Sequence, residues 1–370
     1  MDLSCVKKRM DALLALGVPG CSISIRQDHK EIYRYICGVR DRDTQVPMTG
    51  DEFFYIFSCT KPITVAAAMQ MMEKGLLSLD APVADFIPEY KNVLVEENGK
   101  LVPPHEPITV HHLLTMSAGL NFNINEDTIG DRSTLNTYDM AVQMCRKPLL
   151  FHPGDRFKYS ICLDVLAAVM EVASGVRFGQ YLKENIFDPL GMKHTGFDPD
   201  VSPIAAQYQC PKGTKDVVFI GDEHPYLFNK HYESGGGGLV STLDDYALFA
   251  DAMACDGVGA NGAKILTKES IDALRKNQLG TFVRNGDDYK CYTGPGYGYG
   301  LGVRTLIDKS QGQRSPLGEF GWDGANGAFV IIDPENHLSF SFMQHIRAWP
   351  NLMGEFYAPI RDEVYEALGL

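Results

Sequence analysis

Residues 57–75, FSCTKPITVAAAMQMMEKG, carry the reading of this chain. Pro62 to Lys74 is rich in Ala and Met, holds no second helix breaker and stops at Gly75, which predicts a glycine-capped helix. A proline inside a helix clashes with the carbonyl four residues back, here Ser58, so the helix is expected to begin close to Ser58. Residues three apart on a helical turn share a face, which sets the Ser58 hydroxyl beside the Lys61 amine at the positive end of the helix. An amine there can make a hydroxyl nucleophilic. A capping serine and a solvated lysine would read the same way, so S-x-x-K needs partners elsewhere in the chain.

Outward from this helix the pattern changes. On the N-terminal side, Leu3, Val6, Met10, Leu13 and Leu14 recur at helical spacing before Gly17 and Pro19. Cys21, Ile23 and Ile25 then alternate with Ser22, Ser24 and Arg26, the mark of a strand with one buried face, and EIYRYIC (31–37) pairs with it as a hairpin. At the far end YGYGLGVRTL (297–306), GAFVII (327–332) and HLSFSFMQH (337–345) are expected as strands. A final helix carries Phe356, Ile360, Val364 and Leu368 on one stripe. Between them helical patterns dominate, as in 108–116, 163–175 and 241–253. The expected class is α+β: an α/β sandwich whose antiparallel sheet is built from both chain ends and flanked by helices, with an inserted, mainly helical domain. The expected division is 1–60 with 281–370 for the sheet and 61–280 for the helices.

Composition narrows the function classes. A chain of 370 residues can bury a sizeable core, and 45% apolar with 22% charged residues is the balance of a water-soluble globular protein. No apolar stretch approaches the ~18 residues of a membrane span, and MDLSCVKKRM lacks the apolar core of a signal peptide, so a cytoplasmic protein is expected. Nine scattered cysteines, an odd number, point to free thiols in a reducing compartment. The net charge of -13 disfavours nucleic acid or an anionic membrane as partner. No H-E-x-x-H, C-x-x-C, P-loop or G-x-S-x-G occurs, so neither a metal nor a bound cofactor is expected.

Two further segments offer chemistry. PGDRFKYS (153–160) puts Tyr159 after a Pro-Gly turn and just before a helix; a tyrosine is a useful base only if a cation such as Lys61 favours its phenolate. GWDGANGAFV (321–330) runs through Trp322, Asp323, Gly324 and Ala325 into a strand, and a glycine there lets substrate approach the backbone. The backbone N–H groups of Ser58 and Ala325 could then form an oxyanion hole. A packed tyrosine and a plain hairpin are the blander alternatives.

VPGCSISI, FSCTKPIT, PITVHHLLTMSAGL, PGDRFKYS, IFDPLGMKHTGF, GGGGLVSTLDDYALFA, GYGYGLGV and GWDGANGAFV follow one another in an order that resembles the serine beta-lactamase-related family, its class C branch and above all its carboxylesterase members. The resemblance implies a beta-lactamase/penicillin-binding-protein-like fold with the site between sheet and helices. It also implies Ser58 as nucleophile, Lys61 as its amine partner and Tyr159 as general base or acid. Two departures bear on the substrate. Where Y-x-N is usual the chain has Ile161, and where K-T-G holds a lactam carboxylate it has Trp322-Asp323-Gly324. Both remove polar anchors, and Asp323 would repel a carboxylate if it faced the cleft. The expected function is ester hydrolysis through an acyl-enzyme on a small-molecule ester or amide. Acyl transfer, lactam or D-amino-acid peptide cleavage, and a non-catalytic binding module are the alternatives.

Overall fold

The computed structural model describes residues 2–122, 131–197, 201–221, 226, 229–280, 289 and 292–370. The elements that position the site begin with α1 (Ser4–Ala15), β1 (Gly20–Gln27), β2 (Lys30–Asp41) and β3 (Val46–Pro47). A 3-10 turn at Phe57–Cys59 leads into α2 (Thr60–Glu73), followed later by α3 (Cys162–Ser174) and α4 (Leu243–Ala254). The last part holds β4 (Tyr297–Tyr299), β5 (Arg304–Leu306), β6 (Phe320–Asp323), β7 (Phe329–Asp333), β8 (Leu338–Gln344) and α5 (Ala358–Leu368). Among the described residues these strands form one sheet in the order β4-β5-β6-β7-β8-β1-β2-β3, each neighbour antiparallel. The two chain ends therefore meet inside the sheet, where β1 pairs with β8 from Cys21 opposite Gln344 to Gln27 opposite Leu338. That is the α+β class expected from the pattern.

Alternation decides which side chains each layer receives. Cys21, Ile23 and Ile25 of β1 join Phe329, Ile331, Phe340 and Phe342 under α1 and α5. The opposite face of β1 is buried too, against expectation: Ser22 and Ser24 are at most 1% exposed, because α4 packs across β1, β7 and β8. Ser339 and Ser341 of β8 are equally buried. Small serines on these two strands let the helix approach closely, and this is why a polar alternation marks no solvent face here. Val330, Ile332 and Met343 join a larger apolar cluster with α2, α3 and α4, so sheet and helices share one core. We propose the division 61–280 against the two chain ends as an account of chain organisation around that shared core.

Residues 297–306 are not one strand. β4 and β5 pair with each other, Tyr297 opposite Leu306, and Gly300 to Val303 make the turn. Gly302 lies at φ +70°, a backbone state that favours glycine, and this breaks a run whose composition reads as continuous strand. β6 is a separate strand between β5 and β7, which puts Trp322 in the sheet rather than on a lead-in loop.

Candidate active site

The start of α2 is fixed by the segment Gly235–Leu239. Thr60 Oγ1 accepts from the Leu239 N–H (3.1 Å), Thr64 Oγ1 donates to the Gly235 carbonyl (2.7 Å), and Lys61 Nζ donates to the Gly236 carbonyl (2.5 Å). Residues 60, 61 and 64 share one helix face, so T-K-P-I-T is spaced to grip this strip. At its other end α2 closes with the Leu76 N–H on the Met71 carbonyl (2.9 Å) and the Gly75 N–H on Met72 (3.0 Å) around Gly75 at φ +70°, the expected glycine cap. Ser58 sits in the 3-10 turn just ahead of α2 rather than on it. Phe57 before it is held at φ +45°, a conformation that costs a non-glycine residue on the order of 1–3 kcal/mol.

Ser58 Oγ is the meeting point of the three residues read from the sequence. Lys61 Nζ lies 3.1 Å from it, and the Tyr159 hydroxyl donates to it at 2.8 Å. Trp322 Nε1 donates in turn to the Tyr159 oxygen at 3.1 Å. Lys61 Nζ also lies 4.7 Å above the Tyr159 ring. The tyrosine ring stacks on Tyr292 (4.3 Å) and Trp322 (5.4 Å) and tilts against Phe122 (5.5 Å). Lys61 and Tyr159 are nearly closed to solvent while Ser58 is part exposed. A buried amine beside a reachable hydroxyl is an arrangement that can activate that hydroxyl.

The electrostatics divide the two partners. Burial pushes the Lys61 ammonium down to about 8, with the Asp164 carboxylate the largest opposing influence. Burial pushes the Tyr159 phenol up, against the lowering effect of its bonds to Ser58 and Trp322. In this dry pocket desolvation outweighs those bonds, so the phenol is favoured over the phenolate that the sequence left as a condition for a base. Lys61 is the group that can hold a lone pair near neutral pH. Burial also raises the thiols beside the site, Cys162 to about 11 and Cys59 further, so both stay protonated.

Residues 324–327, between β6 and β7, press on the turn that carries Ser58. A Cβ built on Gly324 would lie 2.5 Å from the Ile56 carbonyl oxygen, so only glycine fits. Asn326 Nδ2 ties this turn to the Tyr55 carbonyl (2.8 Å) and the Gln344 carbonyl (2.7 Å). Ala325, exposed at its tip, is thus carried alongside the turn of Ser58. Ile161, by contrast, is 2% exposed in the large apolar cluster, so it packs rather than offering a surface to substrate.

Residues 4–355 match the family described as Beta-lactamase. The chain belongs to the beta-lactamase family. It is 29% identical to Esterase EstB of Burkholderia gladioli, over 93% of this chain and 90% of that protein. It is also 29% identical to the lovastatin esterase of Penicillium rubens, over 79% of each. Among solved structures, EstCE1, a hydrolase with promiscuous acyltransferase activity, superposes with a TM-score of 0.82 at 26% identity, covering 98% of both chains.

In this member of the beta-lactamase family, Asp323 does not stand as a free charge at the cleft. Arg304, on the neighbouring strand β5, is ion-paired with it, so the repulsion expected from the sequence is offset. Sequence reading missed the support behind Lys61. Asp164 Oδ1 accepts from Tyr232 (2.7 Å), Ser234 (2.5 Å) and the Gly236 N–H (3.4 Å), and so positions the carbonyl that holds the lysine. The signal was the run Gly235-Gly236-Gly237-Gly238: a Cβ on Gly235 would meet the Leu163 carbonyl and one on Gly236 the Asp164 carboxylate. Among the described residues His29, Asp251 and Cys255 could offer ligand atoms to a metal, but His29 (2.9 Å) and Arg26 (3.6 Å) already meet the Asp251 carboxylate.

Proposed function

We propose that this chain is a serine carboxylesterase acting through an acyl-enzyme on Ser58. The observation that carries the reading is Ser58 Oγ held between Lys61 Nζ at 3.1 Å and the Tyr159 hydroxyl at 2.8 Å. With Lys61 neutral, its nitrogen takes the Ser58 proton as Oγ attacks the ester carbonyl. The N–H groups of Ser58 and Ala325 hold the oxyanion. Tyr159, protonated at rest, gives its proton to the leaving alkoxide, and the proton gained by Lys61 restores it. Deacylation runs the same steps in reverse with water. An alcohol in place of water would make the product an ester, an outcome in keeping with the similarity to EstCE1, a hydrolase with promiscuous acyltransferase activity.

Trp322 and the stacked Tyr159 and Tyr292 give the alkyl or acyl part an aromatic wall, and the Arg304 cation beside it is already paired with Asp323. This supports small neutral esters over lactams, together with the esterase names of the relatives. Among the described residues no helix is long and apolar enough to cross a membrane, and the scattered cysteines there are free thiols, which supports a reducing, cytoplasmic setting. The test is intact mass after a fluorophosphonate probe, with p-nitrophenyl ester turnover measured beside it. One adduct on the native chain and none on Ser58→Ala, with turnover lost, is expected; turnover near the native level in Ser58→Ala would end the mechanism.

A further inference from the structure

The geometry points to a second reactive site, remote in role from ester chemistry: Cys21 and Cys37 form a dithiol that closes to an intramolecular disulfide when the chain meets a disulfide oxidant such as oxidised glutathione. The two residues lie directly opposite each other on the antiparallel strands β1 and β2. Directly paired strand residues have Cα atoms roughly 4.5–5.5 Å apart, inside the span a disulfide bridges. The sulfurs are 3.6 Å apart, and Cys37 Sγ also lies 3.7 Å from the Cys21 carbonyl. The side chains therefore point at each other on one face of the sheet.

The surroundings keep them there. Gly20 and Gly38, the next pair along, are pressed together so tightly that a Cβ on Gly38 would lie 2.6 Å from Gly20 Cα. The Val39 N–H donates to the Pro19 carbonyl at 2.9 Å, which pins the strands just beyond. Cys21 is buried and Cys37 part exposed, so one sulfur is reachable and the other waits behind it. The Cys21–Cys37 contact lowers the Cys37 thiol and raises Cys21, which makes Cys37 the attacking sulfur.

Cys37 thiolate attacks one sulfur of oxidised glutathione, forms a mixed disulfide and releases one glutathione thiolate. Cys21, deprotonated as it attacks the Cys37 sulfur, expels the second glutathione. The two protein thiols lose two electrons and two protons, and one glutathione disulfide becomes two glutathione molecules.

The full chain is incubated with oxidised glutathione, denatured, alkylated with iodoacetamide, digested and mapped. The expected result is two fewer alkylated sites than the nine of the reduced chain, with one peptide pair joined through Cys21 and Cys37. The Cys21→Ser variant is expected to hold glutathione on Cys37, since nothing resolves the mixed disulfide. Full alkylation of Cys21 and Cys37 in the native chain, a stable Cys37–glutathione adduct there, or a cross-link joining other cysteines only, would overturn the inference. The native-chain map decides even if a variant fails to fold.

Discussion

Lys61→Met tests the buried amine most directly. The side chain is closed to solvent, and burial carries its pKa from the ordinary 10.5 to about 8. At about 1.4 kcal/mol per unit, holding the ammonium in place costs roughly 3 kcal/mol wherever it is charged in both folded and unfolded chains. The folded value lies below the unfolded one, so between about 8 and 10.5 the unfolded chain binds a proton that the folded chain has released. Stability from this group therefore rises with pH through that window and is lowest below it. Methionine fills similar volume and carries no proton, so it removes the pH dependence along with the charge. The native chain should gain roughly 2–3 kcal/mol of stability relative to the variant from pH 7 to pH 10. With an unfolding entropy near 2 cal/mol/K per residue, that is about 3 °C in the difference of Tm values. Comparing the two pH values cancels the lost packing and bonding that do not depend on protonation, and the part that does is contained in the shifted pKa. The same group sets the activity: native kcat/KM should climb about tenfold from pH 6 to 7 and level off above about 8. Calorimetry at both pH values and an ester rate profile check these together. A pH-independent difference in Tm with a flat rate profile from pH 6 to 9 would refute the reasoning.

Two other changes and one substrate comparison probe the surrounding parts. Gly236→Ala drives a methyl into the Asp164 carboxylate and displaces the carbonyl on Lys61, so kcat should fall about 100-fold with the fold retained by circular dichroism. Trp322→Phe keeps the stack but loses the 3.1 Å bond to the Tyr159 oxygen, and about a tenfold lower ester kcat/KM is expected; an unchanged value would remove Trp322 from the proton path. For the native chain, kcat/KM for nitrocefin should lie below that for the best short p-nitrophenyl ester, and the reverse order would restore a lactam-cleaving reading.

Much of the site was legible because its signals are local. The Ser58–Lys61 spacing and Gly75 mark a helix start and stop, and both follow from backbone geometry. The strands at the two ends were legible through alternation, although Ser22 and Ser24 looked solvent-facing until α4 was seen covering them. What stayed hidden depends on segments distant in sequence. Asp164 reads as an ordinary acidic residue in a helix's first turn, and only the fold brings Tyr232, Ser234 and Gly236 to it. The protonation of Tyr159 stayed open for the same reason, since a sequence names neighbours but not how dry their pocket is. Arg304 escaped because the turn at Gly300–Val303 sends it back beside Asp323.

The pairing of β1 with β8 has a consequence for how the chain is made. About 300 residues separate these strands, so β1 leaves the ribosome long before its partner exists. At about 5–20 residues per second that interval is roughly 15 to 60 s. During it the β1–β2 hairpin has one open edge, with Ile23 and Ile25 lacking the cover that β8 and α5 later bring. Folding therefore finishes after translation does, and sheets closed by such distant contacts form slowly. A synthesis slowed late in the message lengthens that exposure, and one slowed early does not.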